Sequence, residues 1–212
     1  KFDYFSPDEK NRLSVFASAA NTDRDSYYGP GNDPLKAYGK TTDLTAMGGA
    51  QYVHTFDKCF FMPSDLTAGL EYNRDRLKDN MWGYDRHTDQ TVNIYSAFLQ
   101  NERKNDRWGI LIGGRLDKHN MVDNVIFSPR ANLRFNPTQN INLRLSYSSG
   151  FRAPQAFDED MHIENVGGTV AMIERAKNLK EEKSQSFSAS ADMYHRFGVF
   201  QTNFLIEGFY TR

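Results

Sequence analysis

Cysteine is almost absent from this sequence of 212 residues, which contains Cys59 and no other. An intramolecular disulfide is therefore excluded, and so is a zinc site built from several cysteines. Long apolar runs are missing too, because no stretch approaches the roughly 18 apolar residues that a membrane-spanning helix requires. Charge is balanced, with 26 Lys and Arg residues against 27 Asp and Glu residues and a net charge of −1. This balance gives no electrostatic basis for binding nucleic acid.

The sequence motifs of common enzyme classes are missing as well. Ser148 and Ser149 are not part of a G-x-S-x-G elbow, and no ordered triad joins a serine to a histidine. Neither a P-loop nor a dinucleotide-binding fingerprint occurs. We therefore expect a protein that is not an enzyme and that carries no cofactor.

Alternation of apolar and polar residues is what the sequence does contain, together with 14% aromatic residues. Such alternation predicts β-strands with one apolar face, whereas no convincing helix is expected. In one of these strands Val92, Ile94, Ser96 and Phe98 share a face. The predicted strands are nine, with the stub of a tenth in residues 1–5: 11–20, 43–56, 65–77, 90–103, 107–118, 125–136, 141–148, 183–196 and 199–210.

The connections between these strands alternate between short and long. We predict short turns at 6–9, 104–106, 137–140 and 197–198, and an intermediate connection at 57–64. Outer-membrane barrels have short periplasmic turns and long extracellular loops in this rhythm, and a soluble β-sandwich has no reason to keep it. The connections expected to face outward are 21–42, 78–89, 119–124 and 150–182.

Two motifs flank the longest connection. A strand that ends in Ser-Tyr-Ser-Ser runs into Gly150-Phe151-Arg152-Ala153-Pro154, and Asn178-Leu179-Lys180-Glu181-Glu182-Lys183-Ser184 opens the next strand. Upstream, Trp108 to His119 reads W-x-x-x-x-G-G-R-L-D-K-H, and Ser128-Pro129-Arg130 opens its neighbour. In order and at this spacing, the motifs resemble the C-terminal barrel signature of TonB-dependent outer-membrane receptors. Two positions depart from that signature: Glu181 stands where the family usually has Pro, and Ala189 or a neighbour replaces a Glu.

The resemblance implies an all-β fold, an antiparallel up-and-down meander that is part of a transmembrane outer-membrane β-barrel. Barrels of this family have about 22 strands and a plugged lumen, which at the ratio seen here would need roughly 500 residues. Residues 1–212 are therefore expected to be the C-terminal portion of a larger barrel, with the plug outside this chain. We expect such a piece to keep its meander and to form an open sheet or to self-associate.

The function implied is uptake of a scarce nutrient such as a siderophore, haem or cobalamin across the outer membrane of a Gram-negative bacterium. The implied partners are outer-membrane lipid, the extracellular nutrient, and TonB through the missing N-terminal part. Two other functions stay open: a passive porin or adhesin barrel, and a secreted glycan-binding β-sandwich. A plug domain upstream would decide for the receptor.

Candidate ligand-binding residues are sought in the outward connections, since loops carry function on such scaffolds. The segment Gly150 to Pro154 is interpreted as a structural cap where a strand leaves the membrane, with Arg152 as a possible ligand contact. The acidic stretch after it permits ligation of a hard cation or an iron complex, but a solvated loop is the favoured interpretation, and no metal site is assigned. The candidate contacts are Tyr27, Tyr28, Trp82, Tyr84, Arg152, Asp158, Asp160 and His162.

Charged residues outside these connections have two possible roles. Arg115, Arg134 and Arg144 point off the apolar faces, so they pair with neighbouring acids or attract an anionic ligand, and pairing is the favoured interpretation. For His119, at the end of a predicted strand, a surface or ladder position is favoured over a ligand role.

Overall fold

A computed structural model describes residues 1–27, 38–82, 86–156, 176 and 179–212. These residues form one antiparallel sheet of ten strands, paired in the order of the sequence. The predicted all-β meander of nine strands and a stub is confirmed. The strands are β1 (Phe2–Phe5), β2 (Asn11–Tyr27), β3 (Tyr38–Cys59), β4 (Met62–Met81), β5 (Arg86–Lys104), β6 (Trp108–His119), β7 (Ile126–Thr138), β8 (Ile141–Arg152), β9 (Glu182–Phe197) and β10 (Phe200–Thr211).

Strands β2 to β5 are longer than their sequence predicts. Much of the expected loop 21–42 is strand, because β2 continues to Tyr27 and β3 begins at Tyr38. The expected loop 78–89 is wrong for the same reason, since β4 runs to Met81 and β5 starts at Arg86. The expected connection 57–64 shrinks to a two-residue turn. Polar residues at these strand ends continue the antiparallel hydrogen-bond ladder, which the loss of apolar alternation conceals.

The register separates the sheet into two faces. Val15, Ala50, Leu70, Ala97 and Leu116 are direct neighbours across five successive strands, so their side chains share one face. We call it the apolar face. The opposite face carries Ser, Asn, Gln and charged residues on most strands, and we call it the polar face. The sequence alternation predicted the apolar set correctly for β2, β3, β4 and β6 to β10.

Strand β5 differs from the prediction. Val92, Ile94, Ser96 and Phe98 do share a face, but it is the polar one, because Ser96 lies opposite Glu71 and Asp117. The residues of β5 on the apolar face are Tyr95, Ala97 and Leu99, which pair with Tyr72, Leu70 and Ala68.

The two ends of the sheet differ in how the strands connect. At one end, which we call the turn end, the connections have two to five residues. Gly198 there has a φ of +59°, a left-handed conformation that suits glycine. At the loop end, the chain between β8 and β9 spans residues 153–181. The connections 82–85 and 120–125 at the same end have four and six residues, so length separates the two ends less sharply than predicted, and which end faces outward stays a prediction.

The apolar face is largely uncovered. Leu70 is 66% exposed, Ile112 is 63% exposed, and β1 and β10 are the unpaired edges of the described sheet. The open sheet agrees with the expectation. An uncovered apolar surface of this extent marks contact with a membrane or a partner. Among the described residues, none forms a helix long and apolar enough to cross a membrane.

Candidate functional site

A charged cluster occupies the middle of the polar face. Arg115 donates from Nη1 to Oε2 of Glu71 at 2.5 Å, from Nε to Oδ1 of Asp117 at 2.8 Å, and from Nη2 to Oγ of Ser96 at 2.7 Å. Ser96 in turn donates to Oδ1 of Asp117 at 2.6 Å. The four residues come together because Glu71, Ser96 and Asp117 are direct cross-strand neighbours and Arg115 precedes Asp117 by two on the same face. The predicted pairing of Arg115 with nearby acids is observed.

A cavity of about 430 Å³ lies beside this cluster. Arg115 and Arg130 both line it, with hydroxyl and amide side chains from Gln51, Ser128 and Ser148. Guanidinium groups are suited to carboxylate and phosphate groups, and hydroxyls and amides accept or donate hydrogen bonds freely. The carboxylate of Glu71, which pairs with Arg115, also lines the cavity, so Arg130 is the cationic group there that has no carboxylate beside it in the cavity lining. The surface can therefore hold a polar group.

The other two predicted arginines also lie on the polar face, closer to the turn end. Arg134 donates from Nη2 to the carbonyl oxygen of Asn105 at 2.8 Å, which ties it to the turn before β6. Arg144 donates from Nε to Oδ1 of Asn142 at 2.7 Å. Both contacts are local, so these arginines support the wall.

A buried network stands on the polar face near the loop end. Asp79 accepts from Nε and Nη2 of Arg86 at 3.2 and 2.9 Å, and from Oγ1 of Thr41 at 2.7 Å. Arg24 donates to Thr41 at 3.1 Å. Asp79 and Arg86 are only 1% and 4% exposed, and a buried charge pair keeps its place only when its hydrogen bonds are satisfied. Sequence reasoning missed this network because it placed Thr41, Asp79 and Arg86 in loops.

The segment after β8 folds against the loop end of β5 and β6. The side chain of Gln90 forms two hydrogen bonds with the backbone of Ala156, donating to its oxygen at 2.7 Å and accepting from its nitrogen at 2.9 Å. Ala153 packs with Val122 and Ile126 in a small buried cluster. We call residues 153–156 the strap, because these contacts hold it across the top of the sheet.

His119 also meets the strap. It is 1% exposed, and Nε2 lies 3.1 Å from Oε1 of Gln155. Its Nδ1 accepts from the backbone nitrogen of Met121 at 3.0 Å, so Nε2 is the protonated nitrogen and donates to Gln155. Of the two predicted positions, the ladder is confirmed, since His119 pairs with Ile94, and the surface position is wrong, since the side chain is buried beside the strap.

The motif before the strap has mainly packing contacts. Phe151 packs against the buried cluster of Val122, Ile126 and Ala153. A Cβ on Gly150 would come within 3.3 Å of Oγ of Ser184 on the neighbouring strand. Arg152 ends β8 on the polar face, opposite Glu182. These contacts fit a structural cap, and a ligand role for Arg152 stays a prediction.

Glu181, which departs from the motif that opens β9, lies just before that strand. Its carboxylate has a lowered pKa because its own backbone N–H donates to it, with a further contribution from Lys183 at 3.1 Å. The acid is therefore held as an anion beside the strand entrance.

Only some of the predicted loop aromatics are among the described residues. Tyr27 and Tyr38 form an edge-to-face pair with ring centroids 5.1 Å apart, and each is about half exposed. Trp82 is 55% exposed just after β4. Their place in the alternation puts Tyr27 and Tyr38 in line with the apolar face, so they do not line the polar face. Tyr28, Tyr84, Asp158, Asp160 and His162 lie outside the described residues.

Two larger grooves lie on the apolar face, with volumes of about 650 and 720 Å³. Leu99, Ile112, Leu116 and Phe127 are among the residues that line the first of them. Few polar side chains converge on these grooves, so they suit hydrocarbon chains and not a polar nutrient. Within the described ranges, no cluster of three or more His, Cys, Asp or Glu residues could hold a metal ion.

Comparison with protein families adds a match along the chain. The family described as TonB dependent receptor-like, beta-barrel matches residues 2–212. No curated protein matches the sequence.

Solved structures share the fold at low sequence identity. The siderophore receptor PirA from Acinetobacter baumannii superposes with a TM-score of 0.61 and 16% identity, over 91% of this chain and 31% of its own. A mutant of the ferric enterobactin receptor PfeA from Pseudomonas aeruginosa gives 0.60 and 18%, over 87% and 30%. The unliganded ferric citrate transporter FecA gives 0.61 and 14%, over 89% and 30%. The chain thus spans about a third of the length of these proteins.

Proposed function

This chain belongs to the family of TonB-dependent receptor β-barrels, and we propose that it forms part of the wall of an outer-membrane receptor that takes up a scarce nutrient. Members of the family are transporters rather than enzymes. The 212 residues are the C-terminal portion of that barrel in this proposal, and the plug and the segment that contacts TonB belong to other parts of the protein.

The separation of the two faces is the observation that carries this proposal. A barrel wall needs lipid-facing apolar residues and lumen-facing polar residues in strict alternation, and the register keeps this order over most of the sheet. The apolar face then contacts outer-membrane lipid, and the polar face lines the lumen. The turn end lies in the periplasm, and the loop end faces the outside.

We further propose an iron chelate of the siderophore type as the nutrient. The solved relatives include two siderophore or ferric enterobactin receptors and a ferric citrate transporter. On this chain, Arg115 and Arg130 line one polar cavity, and a ferric complex of carboxylate or catecholate ligands carries negative charge that guanidinium groups attract. The role of the chain is binding and passage, with no bond made or broken.

Uptake by the complete protein tests the function. Cells that produce the complete receptor should accumulate radioactive iron from ferric siderophores, and deletion of the TonB system should abolish accumulation. Uptake that persists without TonB would contradict the proposal and favour a passive barrel.

The variant R115Q/R130Q should lower iron uptake several-fold. R134Q, whose arginine is tied to the turn end, should leave uptake nearly unchanged.

Two single substitutions test the orientation of the wall. Leu70→Arg places a charge on the lipid face and should cost about 2–4 kcal/mol near the bilayer centre, so less folded receptor reaches the membrane. Gln51→Arg places the same charge on the lumen face of the adjoining strand and should assemble normally. The amount of heat-modifiable barrel on a gel measures both. Equal loss in the two variants would contradict the assignment of the faces.

A further inference from the structure

The apolar face of β4 changes character along the strand. From the turn end, alternate residues are Leu66, Ala68 and Leu70, then Tyr72, and then three basic residues. Tyr72 marks the boundary with Tyr95 of β5, since their ring centroids lie 4.9 Å apart. We call Arg74, Arg76 and Lys78 the basic ladder. Apolar, aromatic and basic residues thus follow one another in the order in which a lipid leaflet presents its chains, its interface and its charged headgroups.

The basic ladder carries more positive charge than its neighbours neutralise. Arg76 and Lys78 share one carboxylate, with nitrogen atoms 3.8 and 3.4 Å from Oδ2 of Asp89. Arg74, one step closer to Tyr72, is exposed and forms no ion pair with any other described residue. Three cations and one acid leave a local excess of positive charge on a surface that remains accessible.

Further acids on this face stand on other strands. Asp25 of β2 lies directly opposite Lys40 of β3, so these two charges balance each other. Asp23 accepts hydrogen bonds from Asn21 and Thr42, each at 2.9 Å. Asp23 therefore stays a second acid on this face, and the three cations of β4 still outnumber Asp23 and Asp89.

We propose that the basic ladder binds the phosphate groups of a phosphorylated glycolipid in the outer leaflet. This inference rests on the proposed place of the chain in an outer membrane. An arginine side chain binds two oxygens of a phosphate group through two parallel hydrogen bonds. Clusters of basic residues beside a membrane attract anionic headgroups. Asn80 and Thr91 lie on the same face and offer hydrogen bonds to sugar hydroxyls.

The position of the basic ladder makes it accessible to a lipid and not to the nutrient. Its side chains project from the face opposite to Arg115 and the polar cavity, so a solute in the lumen cannot reach them. The groove of about 650 Å³ lined by Leu99, Leu116 and Phe127 lies on this face, beside the neighbouring strands β5 and β6. Hydrocarbon chains can lie in that groove while the headgroup meets the ladder.

Lipid retained by the complete receptor tests the proposal. The wild-type protein and the variant R74Q/R76Q/K78Q are purified from outer membranes in mild detergent, and bound glycolipid is counted by native mass spectrometry. We expect the variant to retain at least fivefold less glycolipid. The variant K10Q/K58Q/K104Q is the matched control, because it removes the same charge at the turn end, and it should retain the wild-type amount.

A second variant separates loss of charge from loss of fold. R74K/R76K keeps the charge without the forked donors and should retain most of the glycolipid and the heat-modifiable barrel. Delipidated receptor in nanodiscs should bind diphosphorylated lipid A and not its dephosphorylated form. Equal binding of both forms, or equal loss of lipid in the ladder and control variants, would overturn the proposal. Iron uptake is measured separately, so the glycolipid result can be interpreted even if the proposed transport function fails.

Discussion

Strands β2 to β5 have 17, 22, 20 and 19 residues, whereas β6, β7, β8 and β10 have 12, 13, 12 and 12. A tilted strand needs about 9–11 residues to cross a membrane. The second group is therefore little longer than a membrane strand needs to be, while the first continues further at the loop end. The two groups of strands therefore end differently at the loop end.

The long strands are held together at the loop end by polar contacts. There Thr41, Asp79 and Arg86 form a buried network, and Leu77, Met81 and Val92 are buried on the same face. The shorter strands end earlier, and the strap, tied by Gln90 and His119, covers their tops. The two regions thus differ at the loop end: the long strands extend the hydrogen-bond ladder, and the strap is held against β5 and β6 by the side chains of Gln90 and His119.

Of the substitutions considered, removal of Asp79 should destabilise the loop end of the long strands most. Asp79→Ala takes the carboxylate from the buried Arg86 and from Thr41, and breaking a buried pair in this way costs about 3–5 kcal/mol. We expect the loop ends of β4 and β5 to open locally, while the membrane part stays folded. Hydrogen exchange of the backbone amides in the complete receptor measures this as faster exchange in residues 76–92.

Asp89→Ala is the control, because its ion pairs with Arg76 and Lys78 lie at the surface on the opposite face of the same hairpin. Exposed pairs of this kind contribute at most about 1 kcal/mol. If both variants exchange at the same rate, the buried network is not what holds the long strands together.

The extent of the long strands was beyond sequence reasoning for a physical reason. Alternation identifies a strand only where apolar residues recur on one face, and at the loop end the face of Asp79 and Arg86 mixes charged residues with the buried Leu77, Met81 and Val92. Thr41 and Asp79 continue the phase of the polar face below them, which is the one signal that could have extended β3 and β4. The parts of β3 and β4 nearer the turn end were predicted correctly because their apolar residues alternate regularly.

The space beside two glycines, Gly69 on the polar face and Gly208 on the apolar face, gives a second contrast. A Cβ at Gly69 of β4 would lie 2.3 Å from the ring of Phe98, whereas a Cβ at Gly208 of β10 meets nothing within 4 Å. Gly69→Ala should therefore destabilise the receptor by about 1–3 kcal/mol through overpacking. Gly208→Ala should be neutral or slightly stabilising, because it restricts the unfolded chain. Thermal unfolding followed by circular dichroism compares them.

Phe98→Leu should rescue Gly69→Ala, because the branched side chain leaves room for the methyl group. No rescue in the double variant would show that the ring is not the obstacle.

The contact between Phe98 and Gly69 also explains why the face of β5 could not be predicted from its sequence. Phe98 and Leu99 are both apolar and adjacent, so alternation alone does not show that Phe98 fills the space above a glycine on the next strand.

The strap should respond to loss of its main anchor. Gln90→Ala removes both hydrogen bonds to Ala156, which at ordinary net values amounts to about 1–3 kcal/mol of local stability. Amides of residues 153–156 should exchange faster, with β4 unaffected. His87→Ala is the matched control, since His87 lies on the same strand as Gln90 but on its opposite face, where it contacts Asn80 of β4. Unchanged exchange at Ala156 would show that Gln90 does not hold the strap.

The candidate site was predictable only in part, and the strap shows why. The motif from Gly150 to Pro154 marks the place where the wall ends, because glycine and proline constrain the backbone locally. Its partners Gln90 and His119 are more than 30 residues away in the sequence, and only the register of β5 and β6 brings them there. Arg115 was assigned to the polar face from alternation alone, whereas its contact with Glu71 depends on a pairing across two strands.

The smallest expected effect lies at the turn end, where neither region projects from the membrane. The hydroxyl of Ser6 donates to the Asp8 carboxylate and lowers its pKa below the ordinary 3.8, with the backbone N–H of Lys10 contributing. A lowered folded pKa stabilises the turn above the unfolded pKa, and this stability is lost as the pH falls through the folded value. Ser6→Ala should raise the pKa of Asp8 towards 3.8. The carboxyl ¹³C shift of labelled Asp8, titrated in bilayers between about pH 2 and 7, measures this. Because the group is exposed, strand exchange at the loop end should not change, and a change there would mean that the two ends of the wall are coupled.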